Sequence, residues 1–298
     1  MRTKALPIVA MVALAVLTSH AQGGQNAQGG RGEEGGRGAQ GGRGRQGGPA
    51  GQNPASDLLF RAQNALGVLR GLNQQDSVHR IEYRGTGTMA IQGQPSKLTD
   101  YRASINYAFP GMRVDVKREG ATPQRVIQVV SGRFAWNETE PGMNATPMPA
   151  AVNERLIQLW STPMGALKAA VAAGANVQLS TEGAANVLTF ALPAPLNATM
   201  KLTLNRQDVT MATGQKRQVN NLVEKAEVRM GNIVSETMFS DYGDWNDKEA
   251  KADILLPRRI VQKQGPVTVF DLTISRTNTY NPYVIMPVPA SVEKAALP

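Results

Sequence analysis

Leu58, Leu59, Ala62, Ala65, Leu66 and Leu69 recur at three- and four-residue spacing. That period predicts an amphipathic helix opening at Pro54, with Ser56 placed to cap it and Asp57 in its first turn, and ending near Gly71. The period then shortens to two. Residues 81–91, 98–109, 112–117, 125–130 and 133–136 form short β-type runs separated by Gly93, Pro95, Pro110-Gly111, Gly120, Pro123 and Ser131-Gly132. Met112, Val114 and Val116 alternate with Arg113, Asp115 and Lys117, so one face of that strand is dry and the other wet.

Residues 138–149 read as a loop and 149–174 as helical, with a break around Thr162-Pro163. Leu156, Ile157, Leu159 and Trp160 form the apolar stripe before the break; Leu167, Ala170 and Val171 form the one after it. Strands resume near Val177 and continue over 187–192, 200–205, 224–230, 233–242, 254–263 and 267–277. Helix, strands, helices, strands is the order of an α+β protein with helices packed on a large antiparallel sheet.

The N-terminal end has a different character. Arg2 and Lys4 precede an apolar run, residues 5–17, that ends in Ser19-His20-Ala21, the three-part layout of a cleavable secretory signal over 1–21. The run is too short for a permanent membrane anchor, and no later stretch is apolar enough to span a bilayer. The expected location is therefore periplasmic or secreted, in a bacterial cell envelope. Residues 22–53 are low-complexity Gly, Gln, Ala and Arg, a composition that cannot bury enough apolar surface to fold and that reads as a disordered tether. Its Gly-Arg-Gly units would also suit RNA, but the segment lacks aromatics and belongs to an exported chain. With Arg2, Lys4 and the excess arginines of the tether set aside, roughly +5 remains on the folded part, a scattered excess that gives no case for nucleic acid. The chain has 0 cysteines, so disulfides, thiolate metal sites and a lipid-modified cysteine are excluded and stability must come from a packed core.

Candidate catalytic chemistry is sparse. Of 2 histidines, His20 leaves with the signal and His79 stands alone before a strand, with no nucleophile motif near it. Asp241, Asp244 and Asp247 are spaced by three rather than by the two of a calcium loop. No glycine-rich phosphate loop follows a strand, and no cofactor is implied. The reading is a non-catalytic protein.

The stretch Thr237-Met238-Phe239-Ser240-Asp241-Tyr242-Gly243-Asp244-Trp245, then Ile254-Leu255-Leu256-Pro257-Arg258-Arg259-Ile260-Val261 and residues 267–277, resembles the closing strands of the LolA/LprG/LppX-like superfamily. There a strand ending in an aspartate-tyrosine loop precedes one opened by a proline, and a last antiparallel strand follows. The resemblance spans about 54–281. It implies a single domain over 54–298, a half-open β-barrel whose large curved antiparallel sheet is covered by an N-terminal helix and inserted central helices. It also implies a lipid or lipoprotein carrier or sensor. With no cysteine to lipidate, the chain would be the soluble kind.

Such a sheet leaves a concave space that holds either an acyl chain or simply core. Met112, Val114, Val116, Phe134, Trp136 and Phe190 are the candidate lining residues, each equally at home in ordinary core. The alternative is an envelope interaction or structural module with a filled core and a protein partner.

Overall fold

The computed structural model describes residues 53–69, 76–91, 94–120, 124–245, 254–279 and 281–295. The expected export signal and tether lie outside them. Helix α1 (Pro54–Leu66) is capped by Asn53, whose side chain accepts the Ala55 N–H at 3.0 Å, rather than by Ser56. Pro54 suits the first helical position because its missing N–H would have no partner there. The helix stops at Leu66, short of Gly71, because Gly67 takes the left-handed conformation (φ 85°) and turns its N–H back to Asn64.

The strands are β1 (Arg80–Ile91), β2 (Gln94–Asn106), β3 (Gly111–Arg118), β4 (Arg125–Ser131), β5 (Phe134–Glu138) and β6 (Thr146–Pro147), then β7 (Gln178–Glu182), β8 (Ala185–Ala191), β9 (Thr199–Thr210), β10 (Lys216–Met230), β11 (Ile233–Asp244), β12 (Leu255–Gln264) and β13 (Val267–Asn278). Between β6 and β7 lie α2 (Val152–Trp160) and α3 (Pro163–Ala173), and α4 (Ala290–Ala295) follows β13. All thirteen strands form one sheet in the order β6-β5-β4-β3-β2-β1-β13-β12-β11-β10-β9-β8-β7. The architecture is α+β, a curved open antiparallel sheet with helices against it. Each half is a meander, and the two meet where β13 pairs with β1.

That seam depends on two glycines. A Cβ at Gly87 would lie 1.9 Å from the Asp271 carbonyl oxygen, and one at Gly85 2.2 Å from that of Thr273. A side chain at either place would push β13 off β1.

Directly paired antiparallel residues share a face, so register sorts the side chains. Met112 pairs with Ile105 and Val130, Val114 with Ala103, and Val116 with Tyr101; all point to the concave side, where α1, α2 and α3 complete the main core. The opposite face of β3–β5 carries a second, smaller core. Ile127, Val129 and Trp136 are covered there by Val284, Met286 and Val292 of the C-terminal segment 281–295. Asn106 ties that segment down by donating its side-chain N–H to the Val284 carbonyl at 3.0 Å.

Glu138 sits beside this second core. Arg113 donates to it through Nε and Nη2, both at 3.0 Å, and the Trp136 indole and the Gly142 N–H donate at 2.8 Å each. Burial alone would raise the Glu138 pKa, but the Arg113 guanidinium and the two neutral donors outweigh it and hold the carboxyl below its ordinary value of about 4.5. A lowered folded pKa means the contribution is complete above the unfolded value and lost as pH falls through the folded one. Urea unfolding is therefore expected to give constant stability from about pH 7 to about pH 5 and a decline below that, shallower in Glu138→Gln.

β9 and β10 run well beyond the expected 200–205 and 224–230. Their extension forms a hairpin, Lys216 opposite Thr210 and Val219 opposite Gln207, whose positions are mostly polar and exposed and so lack a dry stripe. The strand β6, the segment 281–295 and α4 are likewise absent from the hydrophobic pattern.

Candidate functional site

The helices divide the concave face unevenly. α2 lies on β3, β4 and β5; α1 lies on β10 and β12; α3 lies on β8 and β10 and against α1. Between them, over β2, β1 and β13, runs an aromatic strip. The rings of Tyr83 and Tyr101 stack at 6.2 Å, and Tyr101 meets Phe270 at 5.3 Å. Met89, opposite Phe270, is half-buried, as is Phe270 itself, so the strip opens toward solvent at that end. Gln158 of α2 reaches across, its Nε2 lying 3.5 Å from the Tyr101 hydroxyl.

α3 is apolar nearly all round, Pro-Met-Gly-Ala-Leu-Lys-Ala-Ala-Val-Ala-Ala, and Lys168 is its one charge. A helix of that kind is stable only when surrounded, and Met164, Ala166, Leu167, Ala169 and Ala170 are all buried. It fills the trough of the sheet near β8 and β10. Leu159, Ala166, Ala170, Leu188, Leu202 and Ala226 have no surface open to water, outside or in an internal void. The protein's own side chains are close-packed around them.

The break between α2 and α3 is a built joint. Thr162 caps α3 by accepting the Gly165 N–H at 3.2 Å and donates its hydroxyl to the Leu159 carbonyl at 2.8 Å. With that proton used, Tyr107, 2.9 Å away, must be the donor between the two hydroxyls. Lys168 forms an ion pair with Asp76 and stands over the Tyr107 ring at 5.4 Å, tying α3 to the approach to β1 and to the end of β2. Burial pulls the Lys168 ammonium down, opposed by Asp76. Burial pushes the Tyr83 phenol up to about 12, opposed by Tyr101, and raises Tyr101 and Tyr107 as well. These phenols stay protonated at neutral pH and are unfit as bases.

Four of the six candidate lining residues meet in the main core: Met112, Val114, Val116 and Phe190. Phe134 and Trp136 do not join them. Both pack in the second core on the convex side, because Trp136 pairs with Val129 and Phe134 with Ser131, on the face turned away from α2. The hydrophobic pattern does not mark Tyr101, Tyr107, Lys168 or Arg155, and it marks Thr162 only as part of the helix break. A Thr-Pro pair ahead of an apolar helix and a single charge within it were the available signals for Thr162 and Lys168.

His79 is exposed, and its carbonyl accepts the Tyr107 N–H at 2.8 Å. Among the described residues no three His, Asp or Glu side chains are grouped to hold a metal. Asp241 lines an open polar depression of about 510 Å³ with Arg206, Asp208 and Lys216 at the β9–β10 hairpin, away from the aromatic strip, while Asp247 falls outside the described residues. No described helix is long and apolar enough to cross a membrane.

No family model and no curated protein matches the chain. Among solved structures it is similar to a LolA superfamily protein from Nitrosomonas europaea, at 11% identity over 76% of this chain and 94% of that one, with a TM-score of 0.41. A protein domain from Vibrio parahaemolyticus titled as outer membrane lipoprotein-sorting matches at 11% identity over 75% and 92%, TM-score 0.42. A DUF1329 family protein from Desulfovibrio piger matches at 10% identity over 76% and 91%, TM-score 0.30. Likeness this distant says nothing of what the chain binds.

Proposed function

We propose that this is an exported, non-catalytic half-barrel that takes up an apolar chain, a lipid or lipoprotein acyl chain, between its concave sheet and the α2–α3 lid. The observation that carries the reading is α3 itself, a helix apolar nearly all round that lies in the trough over β8 and β10 and is joined to α2 by a capped break. Displacing a helix of small side chains by a chain of methylenes exchanges one buried apolar surface for another, at about 0.8 kcal/mol for each methylene taken from water. Met112, Val114, Val116 and Phe190 would line the space, and Met112 adds an adaptable thioether. In this reading residues 1–21 are removed on export and 22–53 tether the single domain 54–298.

A second reading is favoured by the zero exposure around α3: a packed envelope module whose partner is a protein. Native mass spectrometry of the mature protein, with solvent extraction of whatever co-purifies, separates the two. One acyl species per protein, released by denaturation, is the expected result. A bare protein that also fails to bind added long-chain lipid would leave only the module.

A further inference from the structure

The three large apolar side chains most open to water among the described residues are Tyr283 (85% exposed), Phe109 (75%) and Ile285 (60%). Single exposed hydrophobics are ordinary on a protein surface. These three are gathered at one end of the sheet, although they come from distant parts of the chain. Asn106, the last residue of β2, holds them there. Its buried side chain donates to the Val284 carbonyl at 3.0 Å and accepts the Phe109 N–H at 3.1 Å, so one amide fixes the β2–β3 turn against the C-terminal segment. The β4–β5 turn joins the same end, its Gly132 N–H donating to the Pro110 carbonyl at 2.9 Å.

The side chains of the C-terminal segment alternate here. Val284 and Met286 turn inward to the second core, while Tyr283 and Ile285 turn outward. An extended stretch with one wet face ordinarily carries polar residues on it. This one carries a tyrosine and an isoleucine, and the adjoining turn adds Phe109. An apolar patch built this way on braced backbone marks an interaction surface.

The surroundings supply the partner class. Residues 107–111, 131–134 and 281–292 contain no Asp or Glu; their one charge is Arg133, which is exposed and lies over the Phe134 ring at 5.1 Å. The low-complexity stretch 22–53 has no apolar residues other than Ala, Gly and Pro, so it offers no cover. Rings and a branched aliphatic standing out from turns enter a lipid interface without needing a matching surface, the tyrosine hydroxyl staying at headgroup depth. An arginine among them, with no acid to offset it, is drawn to anionic headgroups. We infer that this end of the sheet, led by Phe109, Tyr283 and Ile285, is a docking surface for a lipid bilayer bearing anionic headgroups. The same turn carries Tyr107, which meets Thr162, so the α2–α3 joint lies at the docked end. The inference goes beyond the acyl-chain reading and does not rest on it.

The test is co-flotation of the full chain with vesicles of phosphatidylethanolamine and phosphatidylglycerol. Phe109→Ser, Tyr283→Ser and Ile285→Ser combined are expected to lower partitioning at least about tenfold. Arg133→Gln is expected to weaken it about fivefold on these vesicles and to leave binding to phosphatidylcholine vesicles unchanged. Residues 1–53 are common to every variant, so the ratio to the unmodified chain reads the patch alone. The substituted side chains are exposed, so melting temperature and uptake of an apolar fluorophore should match the unmodified chain. Equal flotation of the triple variant and the unmodified chain would overturn the inference. So would a chain that floats with neither vesicle and runs as a dimer that the triple substitution splits, which would make the patch a contact between two copies. If the triple variant does not fold, Tyr283→Ser alone decides, an about threefold loss supporting the surface and no loss overturning it. Normal flotation without fluorophore uptake strikes the acyl-chain reading and leaves the docking surface standing.

Discussion

Gly165→Ala is expected to lower stability by about 3 kcal/mol or more, a fall of about 6 °C or greater in melting temperature for a domain of this size. A Cβ at that position would stand 2.4 Å from the Leu159 carbonyl oxygen, 2.7 Å from Thr162 Oγ1 and 3.1 Å from the Trp160 Cα. Two of those three atoms are backbone and cannot swing aside. The third is the cap of α3 and already serves Tyr107, Leu159 and Gly165. Relief requires the α2–α3 joint to open, which pulls α3 from the trough and breaks its packing on α1 and β10. Thermal unfolding by circular dichroism measures the effect, and Val171→Ser, at a half-exposed position of the same helix, is the control expected to stay within about 0.5 kcal/mol. If lid opening admits the guest, Gly165→Ala should also bind an apolar fluorophore more readily than the unmodified chain below its melting point.

Trp136→Ala is expected to cost about 3–5 kcal/mol, the range for deleting a large buried aromatic. The side chain is fully buried in the second core, so its removal leaves a void under Val284 and Met286. It also removes one of the donors that keep Glu138 ionised. That part of the loss should be complete above about pH 5 and should narrow as pH falls, because the unmodified protein then forfeits the larger Glu138 contribution. Because Trp136 faces away from the helices, ligand affinity should not change in protein that remains folded. A Trp136→Ala variant with near-normal stability, or with selectively lost acyl binding, would contradict the convex placement. Urea unfolding with a parallel probe titration reads both.

Much of the frame was legible in the chain. The alternation of Met112, Val114 and Val116 with Arg113, Asp115 and Lys117 appears in β3 as a dry and a wet face, and β1, β3, β4 and β11 begin and end within a few residues of the expected runs. The two helices flanking Thr162-Pro163 are present because proline starts a helix readily where it cannot continue one. These are local matters, set by period, caps and turn residues a few positions apart.

The face that β5 turns to the helices is not local. Phe134, Ala135 and Trp136 are apolar on both faces, and so are Val129 and Val130 opposite them, so no alternation marks an inside. The side on which Trp136 ends was decided by the two-residue turn that sets the β4–β5 register and by a C-terminal segment nearly 150 positions later that covers the convex face. Arg155 poses the same problem. Nothing around it in the chain distinguishes a buried guanidinium from a solvated one, since its acceptors come from β4 and β5. Sequence by itself determined where the long helices and most of the strands run and which of their residues share a face, because those follow from backbone geometry repeated every two or 3.6 residues. Only the tertiary structure decided which face is inside, what fills the trough and which guanidinium is buried, because each depends on segments far apart in the chain packing against one another.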